Sequence, residues 1–371
     1  MVKFAAGDAD RITGFSLPDV RVSHKTVWRH IVLETADGMT GHGEYTFDNP
    51  PADISRMAGH AARSLTGARA VIPSLEQVEI PNGPAFAAAS IRSALDQALT
   101  DIEARRAGLP IGQYLGAHVP STVSCYANIN RRTVERTPAG FAKSAGAALA
   151  DGFTAIKIAP FDGLSPENCD SEEGKVLIRD GFERIFAVAG KIGRSAALMV
   201  DCHWRFTTLT ALDCISPLAE AGVSWFECPI PEKTETIDDL LALRRASNAR
   251  NIQLTGLEKA TCWEELKPFV EAGAYDVIMP DIKHAGGFAG IGIMSAQAKR
   301  YGTRLSLHNP TGPIAHLASL QMSAALGGGE LLEFQFDESP LFRSAVEPPP
   351  RFSAGRAIVP TGPGLGAALV K

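Results

Sequence analysis

Eight short apolar runs between Ser121 and Phe336 constrain the fold of this chain more than any other feature of its sequence. They are rich in β-branched and aromatic residues, and stretches with helical periodicity separate most of them. The runs are TVSCYANI, FTAIKIAP, AALMVDCHW, VSWFECPI, IQLTGLE, DVIMPDI, RLSLHN and ELLEFQF. Alternating strands and helices predict a parallel sheet, and eight parallel strands can close into a barrel.

The sequence before the barrel has a different pattern. RHIVLETADGMTGHGEYTF predicts two strands joined by a turn at Asp37 and Gly38. AFAAASIRSALDQALTDIEARRAG then shows apolar residues at intervals of three and four, and Gly108 and Pro110 end this predicted helix. After the barrel, we expect the Gly- and Pro-rich tail AIVPTGPGLGAALV to be extended and to pack against the N-terminal region.

Charge and cysteine content indicate which partners to expect. The net charge is only -5 and Lys and Arg are scattered, so no basic stripe predicts binding to nucleic acid or to an anionic membrane. Asp8, Asp10 and Arg11 interrupt the N-terminus where a secretory signal would need an apolar run. The six cysteines form no CxxC pair and are typical of reduced cytoplasmic thiols. We therefore expect a cytoplasmic protein with a small-molecule partner.

Polar residues collect where the predicted strands end. The carboxyl ends of barrel strands open into the pocket formed by the βα loops, so functional side chains gather there. The alternative is that each polar residue merely ends its strand. The residues are Asp201, His203, Glu227, Glu258, Asp281, His308 and Glu333.

Three of these residues predict a metal site. Asp201, Glu227 and Glu258 end three successive strands, so their carboxylates should converge at the mouth of the barrel. Repulsion among them would protonate one carboxylate unless a divalent cation neutralised the cluster. Oxygen ligands favour a hard ion such as Mg²⁺. Otherwise the three carboxylates point to solvent or pair with Arg or Lys.

The next strand ends predict acid–base chemistry. Asp281 and His308 lie on adjacent strands, and a carboxylate that accepts from one imidazole nitrogen makes the other more basic. His203 stands two residues beyond Asp201, and strand alternation would place both side chains in the same pocket. His203 is then a second acid or base, or it only bonds a metal ligand or a loop carbonyl.

Other residues are candidates for substrate contacts. Lys157 could hold a substrate carboxylate or pair with a metal-ligating carboxylate. Glu333 could accept from a substrate hydroxyl or from a charged neighbour, and Trp204 and Arg205 could line the pocket or the barrel rim. Three further residues, which look structural, are given no role: His284, His316 and Trp263.

Together these motifs resemble the enolase superfamily, and within it the acid-sugar dehydratases of the mandelate racemase group. The resemblance covers nearly the whole chain, through IRSALDQALTDIEARRAGLPIGQYLG, VDCHW, WFECPIP, TGLE, MPDIKHAGG, LHNPTGP and VPTGPGLG. It implies an α/β fold, a modified (β/α)₇β TIM barrel beneath an α+β capping domain built from both ends of the chain. The expected parts are an N-terminal capping domain over residues 1–120, a barrel over 121–336 and a returning segment over 337–371.

The resemblance also implies roles for individual residues. Asp201, Glu227 and Glu258 match the Mg²⁺ ligands, one ion per subunit, and Asp281 with His308 matches the catalytic dyad. Two departures occur. Ala159 stands where the racemases carry the second Lys of a Lys-x-Lys motif, and Cys228 stands where a second Glu is common. The Asp-x-His pattern instead resembles galactonate and mannonate dehydratases, in which such a histidine takes part in acid–base chemistry.

We therefore expect a Mg²⁺-dependent hydro-lyase that converts a sugar acid, or a related 2,3-dihydroxy carboxylate, to a 2-keto-3-deoxy acid. His308 would remove the carbon-2 proton and His203 would protonate the leaving 3-hydroxyl. The alternatives are an isomerase, racemising or epimerising the carbon next to a carboxylate, and a non-catalytic barrel that binds metal or ligand. Substrate choice is expected to depend on loops near residues 43–49, and the family resemblance predicts a homo-oligomer.

Overall fold

The computed structural model describes residues 8–23 and 26–370. The N-terminal part is an antiparallel sheet in which β3 lies between β1 and β2 and also pairs with β4. Gly38 takes a φ of 82° in the turn between β3 and β4, which confirms the predicted hairpin. The strands are β1 Ile12–Ser16, β2 Asp19–Arg21, β3 Val27–Thr35 and β4 Thr40–Glu44; the helices are α1 Ile54–Ser64, α2 Ala85–Arg106 and α3 Ile111–Tyr114, with a 3₁₀ turn at Ile72–Gln77.

Strand β4 lies unusually close to helix α2, and two glycines permit this. A Cβ atom on Gly41 would lie 2.1 Å from the carbonyl oxygen of Ala98, and one on Gly43 would lie 1.9 Å from that of Ala94. No real Cβ approaches backbone oxygen so closely. The sheet and α2 therefore form one packed unit, with Ile31, Leu33, Ala94 and other apolar side chains between them.

Eight parallel strands and seven following helices form the second part, as the sequence predicts. Among the described residues, no helix combines the length and apolar character required to cross a bilayer. The strands are β5 Thr122–Asn128, β6 Ala155–Ile158, β7 Ala197–Asp201, β8 Val223–Glu227, β9 Gln253–Gly256, β10 Val277–Ile278, β11 Arg304–Leu305 and β12 Leu332–Gln335. The helices are α4 Pro138–Ala150, α5 Glu172–Ile192, α6 Thr208–Glu220, α7 Ile237–Asn248 (preceded by a 3₁₀ turn at Thr234–Thr236), α8 Trp263–Ala272, α9 Gly287–Arg300 and α10 Pro313–Ala325.

The barrel closes between its last and first strands. A parallel ladder runs from β5 to β11, and β12 pairs with β5 through Leu332 with Cys125 and Gln335 with Asn128. A side-chain hydrogen bond links the residues next to β11 and β12: Ser306 Oγ donates to the Leu331 carbonyl at 2.6 Å. The observed architecture confirms the predicted α/β barrel and capping domain.

The segment after β12 replaces an eighth barrel helix. It begins with a short helix, and its hairpin β14–β15 pairs antiparallel with the start of β5. Near the end of the chain, Leu365 N donates to Asp101 on α2 at 2.8 Å, so the tail contacts the N-terminal part as expected. The boundaries at residues 120 and 336 stay predictions. The elements are α11 Leu341–Ser344, β13 Val346–Glu347, β14 Phe352–Ser353, β15 Arg356–Ile358 and β16 Ala368–Leu369, with β13 paired to β16.

Candidate active site

A polar cavity of about 630 Å³ lies at the carboxyl ends of the barrel strands, beneath the N-terminal part. Thr46, Phe47, Asp48 and Asn49 line it from the loop after β4, the region where the sequence places substrate choice. Phe86 of α2 lines it as well. The barrel side contributes seven of the candidate or neighbouring polar residues: Asp201, His203, Arg205, Glu258, Asp281, His284 and His308.

The three predicted metal ligands converge, as expected for successive strand ends. Asp201 and Glu227 are direct ladder partners on β7 and β8, and Glu258 follows β9. One carboxylate oxygen from each residue lies within 4.8 Å of the others. All three residues are buried, with 3%, 0% and 7% of their surfaces exposed. The sequence pattern therefore predicts the convergence of these three carboxylates correctly.

The buried ammonium group of Lys157 partly neutralises the negative charge of the carboxylate cluster. Its Nζ lies 2.5 Å from Glu227 Oε1, 2.9 Å from Glu333 Oε1 and 4.0 Å from Asp201 Oδ2. Burial lowers the pKa of Lys157, but Glu227 and Glu333 outweigh burial and hold it well above the ordinary value. Lys157 is fully buried and lies outside the cavity lining, so the structure shows the ion-pair option, and the substrate contact stays a prediction.

Glu333 is likewise committed to protein partners. Besides its contact with Lys157, Glu333 accepts a hydrogen bond from Asn128 Nδ2 at 2.7 Å and another from the backbone N–H of Asn309 at 2.8 Å. Its side chain is fully buried. Burial opposes ionisation, but Lys157 lowers the pKa of Glu333 to about 2. The charged-neighbour option for Glu333 therefore matches the structure, and the substrate-hydroxyl option stays a prediction.

The carboxylate cluster is suited to bind a further cation. Burial, with the Asp201 charge added, raises the pKa of Glu258 to about 8. Within residues 8–23 and 26–370, Glu258 Oε2 is buried and receives no hydrogen bond. An unsatisfied buried carboxylate oxygen beside two others is a donor set suited to a hard divalent ion such as Mg²⁺. The residues present therefore fit the ion that the sequence predicts.

The predicted dyad is formed. His308 Nδ1 lies 2.9 Å from Asp281 Oδ2, and His308 Nε2 faces the cluster, 3.3 Å from Glu258 Oε2. Burial opposes ionisation of Asp281, but the Lys283 ammonium lowers its pKa well below the ordinary value. An ionised Asp281 accepts a hydrogen bond from the Nδ1–H group of His308. This leaves Nε2 as the basic nitrogen of the ring.

Two residues beside the dyad were not predicted from the sequence. Lys283 Nζ lies 2.5 Å from Asp281 Oδ2, so it shares that carboxylate with His308. His284, which was given no role, lines the cavity; its ring lies 4.5 Å from that of Phe86, and its Nδ1 is 2.9 Å from Ser90 Oγ. Burial lowers the pKa of His284 to about 3, which keeps it neutral. Because α2 is distant from His284 in sequence, no local sequence pattern indicated this contact.

His203 reaches the cavity for a reason other than strand alternation. The chain leaves β7 at Asp201, and both His203 and Trp204 have positive φ, 49° and 58°, in a left-handed turn. His203 Nε2 lies 2.9 Å from Asp201 Oδ2. Burial opposes protonation, but Asp201 raises the pKa of His203. The side chain is 40% exposed, so it contacts both the cluster and the open cavity.

Trp204 and Arg205 line the cavity, as one option allowed. Trp204 Nε1 donates to Glu232 Oε2 at 2.8 Å, and Lys259 Nζ lies 3.9 Å from the centre of its ring. Arg205 donates to the Phe161 carbonyl. The other two residues given no role lie outside the cavity lining: His316 is buried against Phe334 and Phe342, with its Nδ1 3.0 Å from Asn309 Nδ2, and Trp263 packs on the barrel core.

Two residues next to the carboxylate cluster have a strained backbone conformation. Cys228 follows Glu227 with a φ of 45°, and Leu257 precedes Glu258 with a φ of 70°. Non-glycine residues rarely adopt this left-handed conformation, and it persists only where surrounding contacts enforce it. Here the Cys228 amide donates to the Thr255 carbonyl at 2.9 Å, and the Leu257 amide donates to Glu232 at 2.6 Å.

Comparisons with known proteins agree with the fold. Residues 140–371 match the family described as enolase C-terminal domain-like, and residues 19–116 match the N-terminal domain of mandelate racemase/muconate lactonizing enzyme. A mandelate racemase/muconate lactonizing enzyme from Sulfitobacter sp. superposes with a TM-score of 0.84 at 21% identity, over 97% of this chain and 93% of that one. This likeness supports the fold.

Curated relatives include two dehydratases. The D-gluconate dehydratase of Thermoproteus tenax is 29% identical over 76% of this chain, but the match spans only 55% of that relative's length. The D-xylonate dehydratase of Haloferax volcanii is 25% identical over 86% of this chain and 74% of its own. From the two family matches, the barrel and the capping fold, we conclude that this chain belongs to the mandelate racemase/muconate lactonizing enzyme group of the enolase superfamily.

Proposed function

We propose that this protein is a hydro-lyase that dehydrates a sugar acid, or a related 2,3-dihydroxy carboxylate, to a 2-keto-3-deoxy acid. One observation carries the proposal: two imidazoles border the same carboxylate cluster, His308 at 3.3 Å from Glu258 and His203 at 2.9 Å from Asp201. Such an arrangement provides both a base and an acid for one bound substrate. The relatives named as gluconate and xylonate dehydratases support this choice.

His308 is the proposed base. Asp281 fixes its Nδ1 at 2.9 Å, so Nε2 faces the cavity and can remove the proton from carbon 2. Because Asp281 is also bonded to Lys283, its carboxylate stays ionised while His308 gains a proton. The electron pair left by the carbon–hydrogen bond gives the substrate its enediolate form.

His203 is the proposed acid. Asp201 raises the pKa of His203, which favours the protonated imidazole. Transfer of that proton to the 3-hydroxyl breaks the carbon 3–oxygen bond and releases water. The enol that remains ketonises to the 2-keto-3-deoxy acid.

Asp201, Glu227 and Glu258 would hold a divalent cation, which we propose to be Mg²⁺, one per subunit. When bound, this ion supplies positive charge to a substrate carboxylate and so makes the carbon-2 proton more acidic. We further propose a cytoplasmic homo-oligomer that takes a small carboxylate as its partner. The absence of disulfides among the six cysteines, all free, is compatible with that compartment.

A substrate screen tests the proposed reaction. Purified protein with Mg²⁺ is incubated with a library of acid sugars, and 2-keto-3-deoxy products are detected colorimetrically. His308→Asn and His203→Asn serve as controls, since Asn keeps a polar side chain but cannot transfer the proton. Product that depends on Mg²⁺ and disappears in both variants supports the dehydratase.

The same screen separates the rival reaction. A racemase or epimerase would exchange the carbon-2 proton with deuterated solvent and give no keto acid. Exchange without keto product from any acid sugar would therefore reject dehydration while keeping His308 as a base. Neither exchange nor product, with Mg²⁺ binding intact, would favour a non-catalytic barrel.

A further inference from the structure

Four barrel helices, α7 to α10, begin without a side-chain cap from the residue directly before them. Helices α9 and α10 each start after a glycine, Gly286 and Gly312, and neither residue supplies a side-chain bond to the first turn. By contrast, α4, α5 and α6 are each capped by a Ser or Thr directly before the helix. Helix α9 follows Asp281 and helix α10 follows His308, so the two helices that begin after a glycine are those next to the dyad.

Asp96, on α2, caps α9 from the N-terminal part of the chain. Its Oδ1 accepts from the amide of Phe288 at 2.6 Å, and the neighbouring Ser93 Oγ accepts from that of Gly286 at 2.9 Å. Gly287 has a φ of 65°, and a Cβ there would lie 2.1 Å from Asp96 Oδ1. The loop after Asp281 therefore fits around the Asp96 carboxylate.

Glu44, at the end of β4, caps α10 in the same way. Its Oε1 accepts from Thr311 Oγ1 at 2.8 Å and from the amide of Gly312 at 3.0 Å, and its Oε2 accepts from that of Ala315 at 3.0 Å. A Cβ on Gly312 would lie 2.9 Å from Glu44 Oε1. Glu44 is fully buried, so these contacts replace its solvation.

Gln97 links the backbone of Glu44 to the loop after Asp281. Its Oε1 accepts from the Glu44 amide at 3.1 Å, and its Nε2 lies 3.4 Å from the carbonyl of Ile282, next to Asp281. Asp96 and Gln97 are neighbours on α2, which is itself packed tightly on β4. A single rigid unit thus holds the first turns of both helices.

We propose that Asp96 and Glu44 are positioning residues for the Asp281–His308 dyad, acting by capping from the N-terminal part the two helices that follow the dyad strands. This rests on the proposed role of the dyad in proton removal. Neither carboxylate touches the substrate cavity. The dyad geometry therefore depends on the docking of the N-terminal part as well as on the barrel.

Hydrogen exchange tests the capping without any substrate. Asp96→Ala should speed exchange of the first-turn amides of α9, and Glu44→Ala those of α10, by about fivefold each. Peptides covering residues 278–286 and 304–312 report the dyad loops and should exchange faster as well. Asp96→Asn and Glu44→Gln keep an acceptor oxygen and should restore most of the protection, even if an alanine variant folds poorly.

Kinetics test the positioning, with Asp101→Ala as the matched control. Asp101 is a buried carboxylate on the same helix, but it accepts from the amides of His42 and Leu365 and not from a barrel helix. Asp96→Ala and Glu44→Ala should lower kcat about 10- to 100-fold with little change in KM, because small displacements of reacting groups are costly. A larger isotope effect for carbon-2 deuterium should accompany the loss. Asp101→Ala should leave kcat within about twofold of wild type.

Three results would overturn the proposal. Unchanged exchange in both helices would refute the capping. Faster helix exchange with unchanged dyad loops would refute the link to Asp281 and His308. An equal loss of kcat in Asp101→Ala would assign the effect to general destabilisation. A wild-type protein that dehydrates no sugar acid would instead reject the proposed function, and the exchange arms would still decide the positioning.

Discussion

Replacing Lys157 by Met should show how strongly the carboxylate cluster depends on its internal cation. The ammonium group lies within 4.0 Å of Glu227, Glu333 and Asp201, and all four residues are buried. Met has similar length and volume, so the change is mainly electrostatic. Removing one partner of a buried ion pair costs about 3–5 kcal/mol, and we expect that loss in the free energy of unfolding with EDTA present.

Added Mg²⁺ should reduce the loss. In the Lys157→Met protein the cluster has lost its only compensating ammonium among the described residues within 4.0 Å, so a divalent ion meets less repulsion there. Charges a few ångströms apart near a protein surface interact by several kcal/mol. The stability difference between wild type and Lys157→Met should therefore shrink by at least about 1 kcal/mol in saturating Mg²⁺.

Urea unfolding followed by circular dichroism, with EDTA or with Mg²⁺, measures both effects. Lys175→Met is the control, since Lys175 makes an exposed ion pair with Glu172 at 2.6 Å and should contribute little to stability. A Lys157→Met variant as stable as this control in EDTA would contradict the claim that the cluster needs an internal cation. A loss that is the same with and without Mg²⁺ would contradict the assignment of the cluster as a metal site.

Three further predictions follow from the site and the packing. His308→Asn should lower kcat by about 10²- to 10⁴-fold with KM nearly unchanged, whereas His203→Asn should lose keto product but keep carbon-2 exchange; steady-state kinetics and NMR in deuterated solvent measure both. Burial raises the pKa of Asp96 to about 7, above its unfolded value, so its contribution to stability is lost as pH rises towards 7. The stability of wild type relative to Asp96→Asn should therefore fall by about 1 kcal/mol per pH unit between pH 5 and 7, and parallel urea titrations that show no such slope would refute the burial argument. Gly43→Ala, with its Cβ 1.9 Å from a backbone oxygen, should cost about 1–3 kcal/mol, whereas Gly190→Ala in open space on α5 should gain about 0.5–1 kcal/mol, as thermal unfolding can show.

The barrel and its carboxylate cluster were predictable because both depend on local patterns. Several strands are apolar runs that end in, or are soon followed by, a polar residue, and parallel closure of the barrel brings successive strand ends together. Asp201, Glu227 and Glu258 needed only their positions at three strand ends. The contact between Asp281 and His308 followed from the same rule, and the structure shows it at 2.9 Å.

The remaining contacts were not predictable because they join residues far apart in sequence. Lys157 had two options at a strand end, and its ion pair with Glu333 depends on a strand far along the chain, β12. His284 looks structural in sequence, but α2 places Phe86 and Ser90 against it across the cavity. For His203 the predicted location was right and the reasoning was wrong, because a left-handed turn and not a strand carries it.

Closure of the barrel between β5 and β12 has a consequence for synthesis of the chain. Asn128 and Gln335 are 207 residues apart, so β5 cannot gain this partner until nearly the whole barrel has been translated. At translation rates of about 5–20 residues per second, that delay is about 10–40 s. During it, one edge of β5 is an unpaired strand on a nascent chain. Aggregation of ribosome-bound intermediates, and protection of them by chaperones that bind exposed strands, should therefore concentrate on segment 122–128.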